Sequence, residues 1–569
     1  MPIESTRSEL IQQMLAPEFY PHPVTMPIQS IQTHASIILL TGDFVYKLKK
    51  PVNFGFLDYS TVENRHHFCH EEIRLNQRGA GELYLEVLPI TRQDRQYQLG
   101  GNGEIVDYAV KMIQFPQASL LSNMLESGTL TMSDMAEMGQ VVAEFHRDAQ
   151  ESEYVSNFGR VEQIRKSIDD NYHQTEKYIG RAQTQLQYTE TKAYTDRFLT
   201  EHSDLFLDRI AGGFIRACHG DLHLRNICRW HEKMLLFDCI EFNESFRFVD
   251  TMYDVAFAVM DLEARGRKDL ANRFLNIYTE QTGDWAGLQV LPMYLSRQAY
   301  VRAKVTSFLL DDPSISSADK AVAAKTAADY YRQAWAYTRT HQGRLLMLSG
   351  LSGSGKSTLG KQIAQEMGGI QLRSDAVRKH LGGVPLLSKG DGSLYTPEMT
   401  ARTYQQVLEL GAKLAGQGYT VILDAKYDRQ LLRGAVIDLA QLLEIPLQII
   451  HCTAPVQVLR DRLQHRTGDI ADATVDLLAS QQMTWEDFNL VERSYVTIAD
   501  TTRDFAQSLG SILLPQSDGA ESSQIHHDFV DTQHWFLQFQ HCDTYKNHDR
   551  LAAIELVLLR LSMQTSQSI

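Results

Sequence analysis

This 569-residue chain has no run of 18 apolar residues, so no segment reads as a helix that crosses a membrane. None of its six cysteines (Cys69, Cys218, Cys228, Cys239, Cys452 and Cys542) has C-x-x-C spacing. That argues against a disulfide framework or a zinc site, and for free thiols in a reducing compartment. Basic residues are in deficit: 55 Lys and Arg against 70 Asp and Glu give a net charge of −15. This is the wrong sign for a general binder of phosphate backbones, so no nucleic-acid partner is expected. The N-terminus carries Glu4, Arg7 and Glu9 before any apolar stretch, unlike a signal peptide, and the expected location is the cytoplasm. At this length one core is not enough, and two or three domains are expected.

What the sequence does have is led by Gly350-Leu351-Ser352-Gly353-Ser354-Gly355-Lys356-Ser357-Thr358, which fits G-x-x-x-x-G-K-[ST]. The apolar run 344–349 before it reads as a buried strand, and 358–367 after it has helical periodicity. In that order, Gly350, Gly353 and Gly355 let the backbone, Ser354 and Thr358 included, wrap a nucleotide phosphate at a helix N-terminus. Lys356 would reach the β- and γ-phosphates of ATP, and the Ser357 hydroxyl would hold Mg²⁺.

Further along, Tyr419 to Asp424 is an apolar strand ending in acid, which suits Asp424 to the metal. Asp375 lies nineteen residues after Lys356, at the end of the strand 369–372. In an open parallel sheet both carboxylates face one crevice, and Asp375 would be the acceptor-side base. The alternative is that Ser374-Asp375 only caps a helix starting at Ala376. Arg378 would help hold a polar or anionic acceptor. Arg462 and Arg466 are one turn apart on an expected helix and would share a face, either toward phosphate or toward solvent.

In the first half, 35–40 and 44–50 read as a β-hairpin in which Val45, Lys47 and Lys49 share a face. A helix over 61–78 bears Glu71 and Glu72, and strands follow at 84–91 and 104–114. This is the layout of a kinase-like small lobe. A helix is expected over 119–150 and a strand ending in acid over 233–243. Between them His219, Asp221 and Asn226 keep the spacing of H-R-D-L-x-x-x-N, with Asp238 twelve residues on.

These residues resemble the aminoglycoside phosphotransferase and choline kinase group. With Tyr46 to Val52, Gly55 to Asp58 and Asp254 to Gly266, residues 20–515 resemble a bacterial family that fuses such a domain to a C-terminal P-loop domain. The resemblance implies that Asp221 is the catalytic base, that Asn226 and Asp238 hold Mg²⁺, and that Lys47 contacts the α/β-phosphates and pairs with Glu72 before Glu71. Lys49 is its rival. No G-x-G-x-x-G precedes Lys47. His223 is read as a structural hydrogen-bonding residue. The second half resembles gluconate-kinase-like, polynucleotide-kinase-like and zeta-toxin-like P-loop kinases, in which arginines such as Arg462 and Arg466 close a lid over the transferring phosphate.

The resulting expectation is a multidomain α+β and α/β protein. Residues 1–340 form a two-lobed kinase-like domain, 341–515 a P-loop domain with a parallel sheet, and 516–569 a partly flexible tail. Its histidines His527, His534, His541 and His548 recur every seventh residue, a spacing that does not suit metal ligation on one helix. The function expected is ATP- and Mg²⁺-dependent phosphoryl transfer to the hydroxyl of a small molecule at two ATP sites. The alternatives are a P-loop domain that only senses ATP, and a polynucleotide 5′-kinase. The sequence leaves the acceptors and the oligomeric state open.

Overall fold

The structure, a computed structural model, describes residues 3–503. The tail histidines and Cys542 lie outside the described residues; the other five cysteines are free and buried. Among the described residues no helix is long and apolar enough to cross a membrane. Contacts divide the chain into two units: Met1–Tyr278 with Val290–Arg339, and Thr279–Gln289 with the chain from Thr340 onward. The short segment Thr279–Gln289 therefore falls outside a single cut near 340.

The first unit opens with a six-stranded antiparallel sheet of β1 (Gln29–Gln32), β2 (Ser36–Leu40), β3 (Phe44–Lys49), β4 (Tyr84–Gln93), β5 (Gln96–Leu99) and β6 (Glu104–Ile113). Its order is β1-β2-β3-β6-β4-β5. Alternation along β3 sends Tyr46 and Leu48 into a core with Leu39, Ile90 and Ala109. Val45 faces the other way, into a core with Cys69 and Val110. Lys47 and Lys49 share that second face, where a buried charge requires a partner. The helix Val62–Ala80, capped by the Thr61 side chain, packs against β4 and β6.

The rest of this unit is mainly helical. The helix expected over 119–150 is two, Leu121–Glu126 and Met132–Arg147, because Gly128 turns at φ +73° and Thr131 and Asp134 form a capping box. Strand β7 (Ile215–Ala217) pairs with β10 (Phe248–Asp250), and β8 (Ile227–Trp230) with β9 (Lys233–Leu236). The strand expected over 233–243 ends at Leu236, and Asp238 follows with a left-handed backbone at φ +64°. The helix Thr251–Ala264 is buried from Thr251 to Leu262, apolar except for Asp254 and Asp261 among its longer polar side chains.

The second unit is a parallel sheet of β11 (Arg344–Ser349), β12 (Ile370–Arg373), β13 (Thr420–Asp424), β14 (Leu447–Thr453) and β15 (Val496–Asp500). The order β12-β13-β11-β14-β15 puts the P-loop strand in the middle. Both faces of such a sheet are covered, so a central strand is apolar along its length; Leu345 to Ser349 are all buried. The helices Lys356–Met367 and Ser374–Leu381 leave the carboxyl ends of β11 and β12. In the same unit the Tyr419 hydroxyl donates to the Leu288 carbonyl at 2.9 Å.

Candidate functional sites

In the first unit, strand β3 aims two ammonium groups at one buried carboxylate. Lys47 Nζ donates to Glu72 Oε1 at 2.7 Å and Lys49 Nζ to Glu72 Oε2 at 2.6 Å. Glu71, one residue earlier on the helix, pairs instead with Arg74 on an exposed face. The lysines differ in their second partner. Lys47 reaches Asp238 Oδ1 at 2.5 Å, whereas Lys49 reaches Glu241, which also takes the Tyr59 hydroxyl. Burial opposes the charge on Lys47, but Asp238 and Glu72 hold it above the ordinary lysine value.

Asp221 and Asn226 lie on the loop between β7 and β8. Asn226 Nδ2 donates to the Asp221 carbonyl at 3.0 Å and to its Oδ2 at 3.1 Å. His223 caps the short turn 224–226 through Nδ1 and places Nε2 3.4 Å from Asp221 Oδ2. Burial alone would raise the Asp221 carboxyl, but His223 and His219 hold it well below the usual range. It is therefore ionised at neutral pH, as a proton acceptor must be. Phe237 N–H donates to the Asn226 carbonyl at 3.0 Å, which brings Asp238 beside Asn226. With its Nδ2 spent on Asp221, Asn226 has an amide oxygen to offer. A carboxylate and an amide oxygen are hard donors and fit Mg²⁺.

The loop is braced from below by two residues the sequence reading did not assign. Asp254 accepts the backbone N–H of His219 at 2.6 Å and of Gly220 at 2.8 Å, and His146 Nε2 lies 3.3 Å away. Asp261, two turns on, accepts Leu224 N–H at 3.1 Å. The available signal was two aspartates at i and i+7 within the stretch Met252 to Leu262, whose other residues are apolar or aromatic, since a buried carboxylate requires a donor.

In the second unit, Gly350, Gly353 and Gly355 have φ of +147°, +80° and +83°. A Cβ on Gly350 would lie 2.5 Å from the Cys452 carbonyl and one on Gly353 2.8 Å from that of Leu459, so the cradle admits only glycine there. Lys356 Nζ folds back to the carbonyls of Gly350 and Leu351, both at 2.8 Å. The Ser354 hydroxyl is buried without a partner inside the loop. These features fit a phosphate that supplies the missing acceptor. Strand register sets Asp424 opposite Leu348, and Gln371 Nε2 bridges Asp424 Oδ2 and the Ser357 carbonyl at 2.9 and 3.0 Å. The Asp424 carboxylate near Ser357 again fits a hard cation.

Asp375 is not an N-cap. The helix starts at Ser374, its N-cap is Arg373, and no side chain caps it. Burial raises the Asp375 carboxyl, with Arg373 opposing and Asp424 adding to the rise. Arg373 pairs with Asp469 and lies 3.6 Å from Glu280 and 3.9 Å from Asp424. Arg378 is buried beneath Tyr395 and donates to the Leu394 carbonyl at 2.9 Å, with its Nε unpartnered. Arg462 and Arg466 do not share a helix face, because the helix Val456–Gln464 ends before Arg466. Arg462 braces the loop through the Gly353 carbonyl and Thr501, and Arg466 donates to the Ala473 carbonyl. The P-loop, Asp375, Arg378, Asp424, Arg462 and Arg466 line one cavity of about 1470 Å³.

Residues 345–487 match the family model of an AAA domain. The chain is 31% identical over 474 residues to a Mycobacterium tuberculosis protein described as "Uncharacterized protein Rv2004c", across 82% of this chain and 92% of that one. Among solved structures, a choline/ethanolamine kinase family protein from Mesorhizobium loti aligns at 14% identity and a TM-score of 0.35, over 59% of this chain and 99% of its own. A gluconokinase from Sinorhizobium meliloti aligns at 23% identity and a TM-score of 0.23, over 31% of this chain and 91% of its own. The family match falls within the C-terminal unit, whose parallel sheet and glycine loop are those of a P-loop domain.

Proposed function

The chain belongs to one family with the mycobacterial protein Rv2004c, and we propose that it is an ATP-dependent phosphotransferase with a nucleotide site in each unit and small-molecule hydroxyl groups as acceptors. The observation that carries this reading is the cavity above β11. At about 1470 Å³ it exceeds the roughly 300–1,000 Å³ of a pocket for one small ligand. A nucleotide and an acceptor would fit in it together, since its lining includes both the phosphate cradle and Asp375. A domain that only sensed ATP would not require a desolvated carboxylate and a buried, half-satisfied Arg378 opposite the phosphates.

When bound, Mg²⁺ would neutralise phosphate charge. Ser357 and Asp424 would hold it in the second unit, and Asn226 and Asp238 in the first. The protein's own residues then do the rest. Lys356 and Lys47 would hold phosphate oxygens, and the arginines would enclose them. Asp375 and Asp221 would orient an acceptor hydroxyl and accept its proton as its oxygen bonds to the γ-phosphorus and the bond to ADP breaks. The test is ATP consumption by the intact protein against sugars, sugar acids, aminoalcohols, nucleosides and aminoglycosides. Acceptor-dependent ADP release that is lost in Lys356→Ala or in Asp221→Asn assigns each acceptor to its unit. No acceptor-dependent turnover with any class would overturn the reading.

A further inference from the structure

Two lysines on one strand face one glutamate in the first unit, and they are not equivalent. Lys49 is 1% exposed, and each of its named side-chain partners is buried: Glu72, Glu241 and Tyr59, whose ring lies 4.8 Å from Nζ. Lys47 is held on one side by the same Glu72 and on the other by Asp238, whose side chain is 41% exposed. Lys47 thus stands at the wet edge of the cluster and Lys49 at its dry end.

The difference matters because Lys47 and Asp238 are asked to do two things. As they stand, they are each other's partner at 2.5 Å. A nucleotide with its metal would draw Asp238 to the metal and Lys47 to phosphate. Glu72 is wholly buried, and a buried carboxylate left without charge compensation would be strongly disfavoured. Lys49 prevents that, since its bond to Glu72 Oε2 does not depend on where Lys47 points. It also ties Glu241, three residues after Asp238, to β3. From this geometry we infer that Lys49 is a positioning residue: a dry clamp that keeps Glu72 charged and the 238–241 segment in place while Lys47 exchanges Asp238 for nucleotide phosphate. The inference rests on the reading of the first unit as an ATP site.

The test uses the full chain with Lys356→Ala, so that labelling reports the first unit. The probe is an acyl phosphate of ATP, whose acyl group passes to a lysine amine beside bound phosphates with release of ATP. Peptide mapping should find Lys47 acylated, Lys49 unlabelled, and the Lys47 label lost with excess Mg·ATP. Adding Lys49→Met should lower Lys47 labelling and weaken competition by Mg·ATP about tenfold or more, with Lys49→Arg restoring much of both. Melting curves show whether Lys49→Met is folded; if it is not, Glu241→Gln, which removes the charge from the tie to the 238–241 segment and retains Lys49–Glu72, should weaken competition in the same direction. Labelling of Lys49 in place of Lys47, or unchanged labelling and competition in folded Lys49→Met or Glu241→Gln, would overturn the clamp and leave the ATP site standing. Absence of label at both lysines would overturn the clamp and the ATP-site reading together.

Discussion

Asp254 Oδ1 accepts the backbone N–H of Gly220 at 2.8 Å across 34 residues of chain. The contact ties the loop that carries Asp221 to the most buried helix of the first unit. Its other oxygen takes the next N–H upstream, that of His219. Asp254→Ala would leave two buried N–H groups without an acceptor. The expected loss is roughly 3 kcal/mol, measured by denaturant unfolding. A loss below about 0.5 kcal/mol would mean that the loop is held by other contacts.

Asp221→Asn keeps the shape of the side chain and removes the carboxylate proposed to accept the acceptor's proton. In a Lys356→Ala background, acceptor phosphorylation by the first unit should fall on the order of 10²-fold or more while Mg·ATP binding survives. Undiminished turnover in that double variant would remove Asp221 from the mechanism.

Asp375 gives a prediction of opposite sign for stability and activity. Burial holds its folded-state carboxyl above the ordinary value, with Arg373 opposing and Asp424 reinforcing the rise. The folded state then binds its proton more tightly than the unfolded state does. Its contribution to stability is therefore present at low pH and is lost as pH rises through the ordinary aspartate range and the raised folded value. At neutral pH the ionised group is a net cost. Asp375→Asn should raise the melting temperature at pH 7 more than at pH 4, and leave ATP affinity unchanged. Acceptor-dependent turnover should drop. Normal turnover with a confirmed acceptor would show that Asp375 is not the base.

Two glycines with left-handed backbones separate cradle from cap. Gly353→Ala would add strain at φ +80° and drive a Cβ to 2.8 Å from the Leu459 carbonyl, so Mg·ATP binding by the second unit should be lost. Gly368 ends the helix Lys356–Met367 at φ +64° with open space around it. Gly368→Ala should cost about 1 kcal/mol of stability and leave nucleotide affinity untouched. Titration calorimetry with Mg·ATP on both variants, with the first-unit site removed by Asp238→Asn, distinguishes the two effects; equal affinities would refute the cradle argument.

The second unit was legible in the sequence because its signals are local. The glycine pattern, the apolar β11 before it and the acid at the end of β13 are each set by a few adjacent residues, and a parallel sheet brings its strand ends together by construction. The spacing of Asp221, Asn226 and Asp238 was likewise readable in order. Which partner each charge takes was not, because that depends on side chains far apart in the chain. Sequence order left Lys47 and Lys49 as rivals; only the packing of the helix Val62–Ala80 and of the 238–241 segment against β3 gives both of them Glu72 and sends one to Asp238, the other to Glu241. The same holds for Arg462 and Arg466, whose helical spacing breaks when the helix ends at Gln464. It holds also for Asp254 and Asp261, to which the sequence alone gives no individual role and which the fold sets beneath the loop that carries Asp221. Local pattern sets backbone conformation, whereas a buried charge is fixed by whichever opposite group the tertiary fold brings within reach.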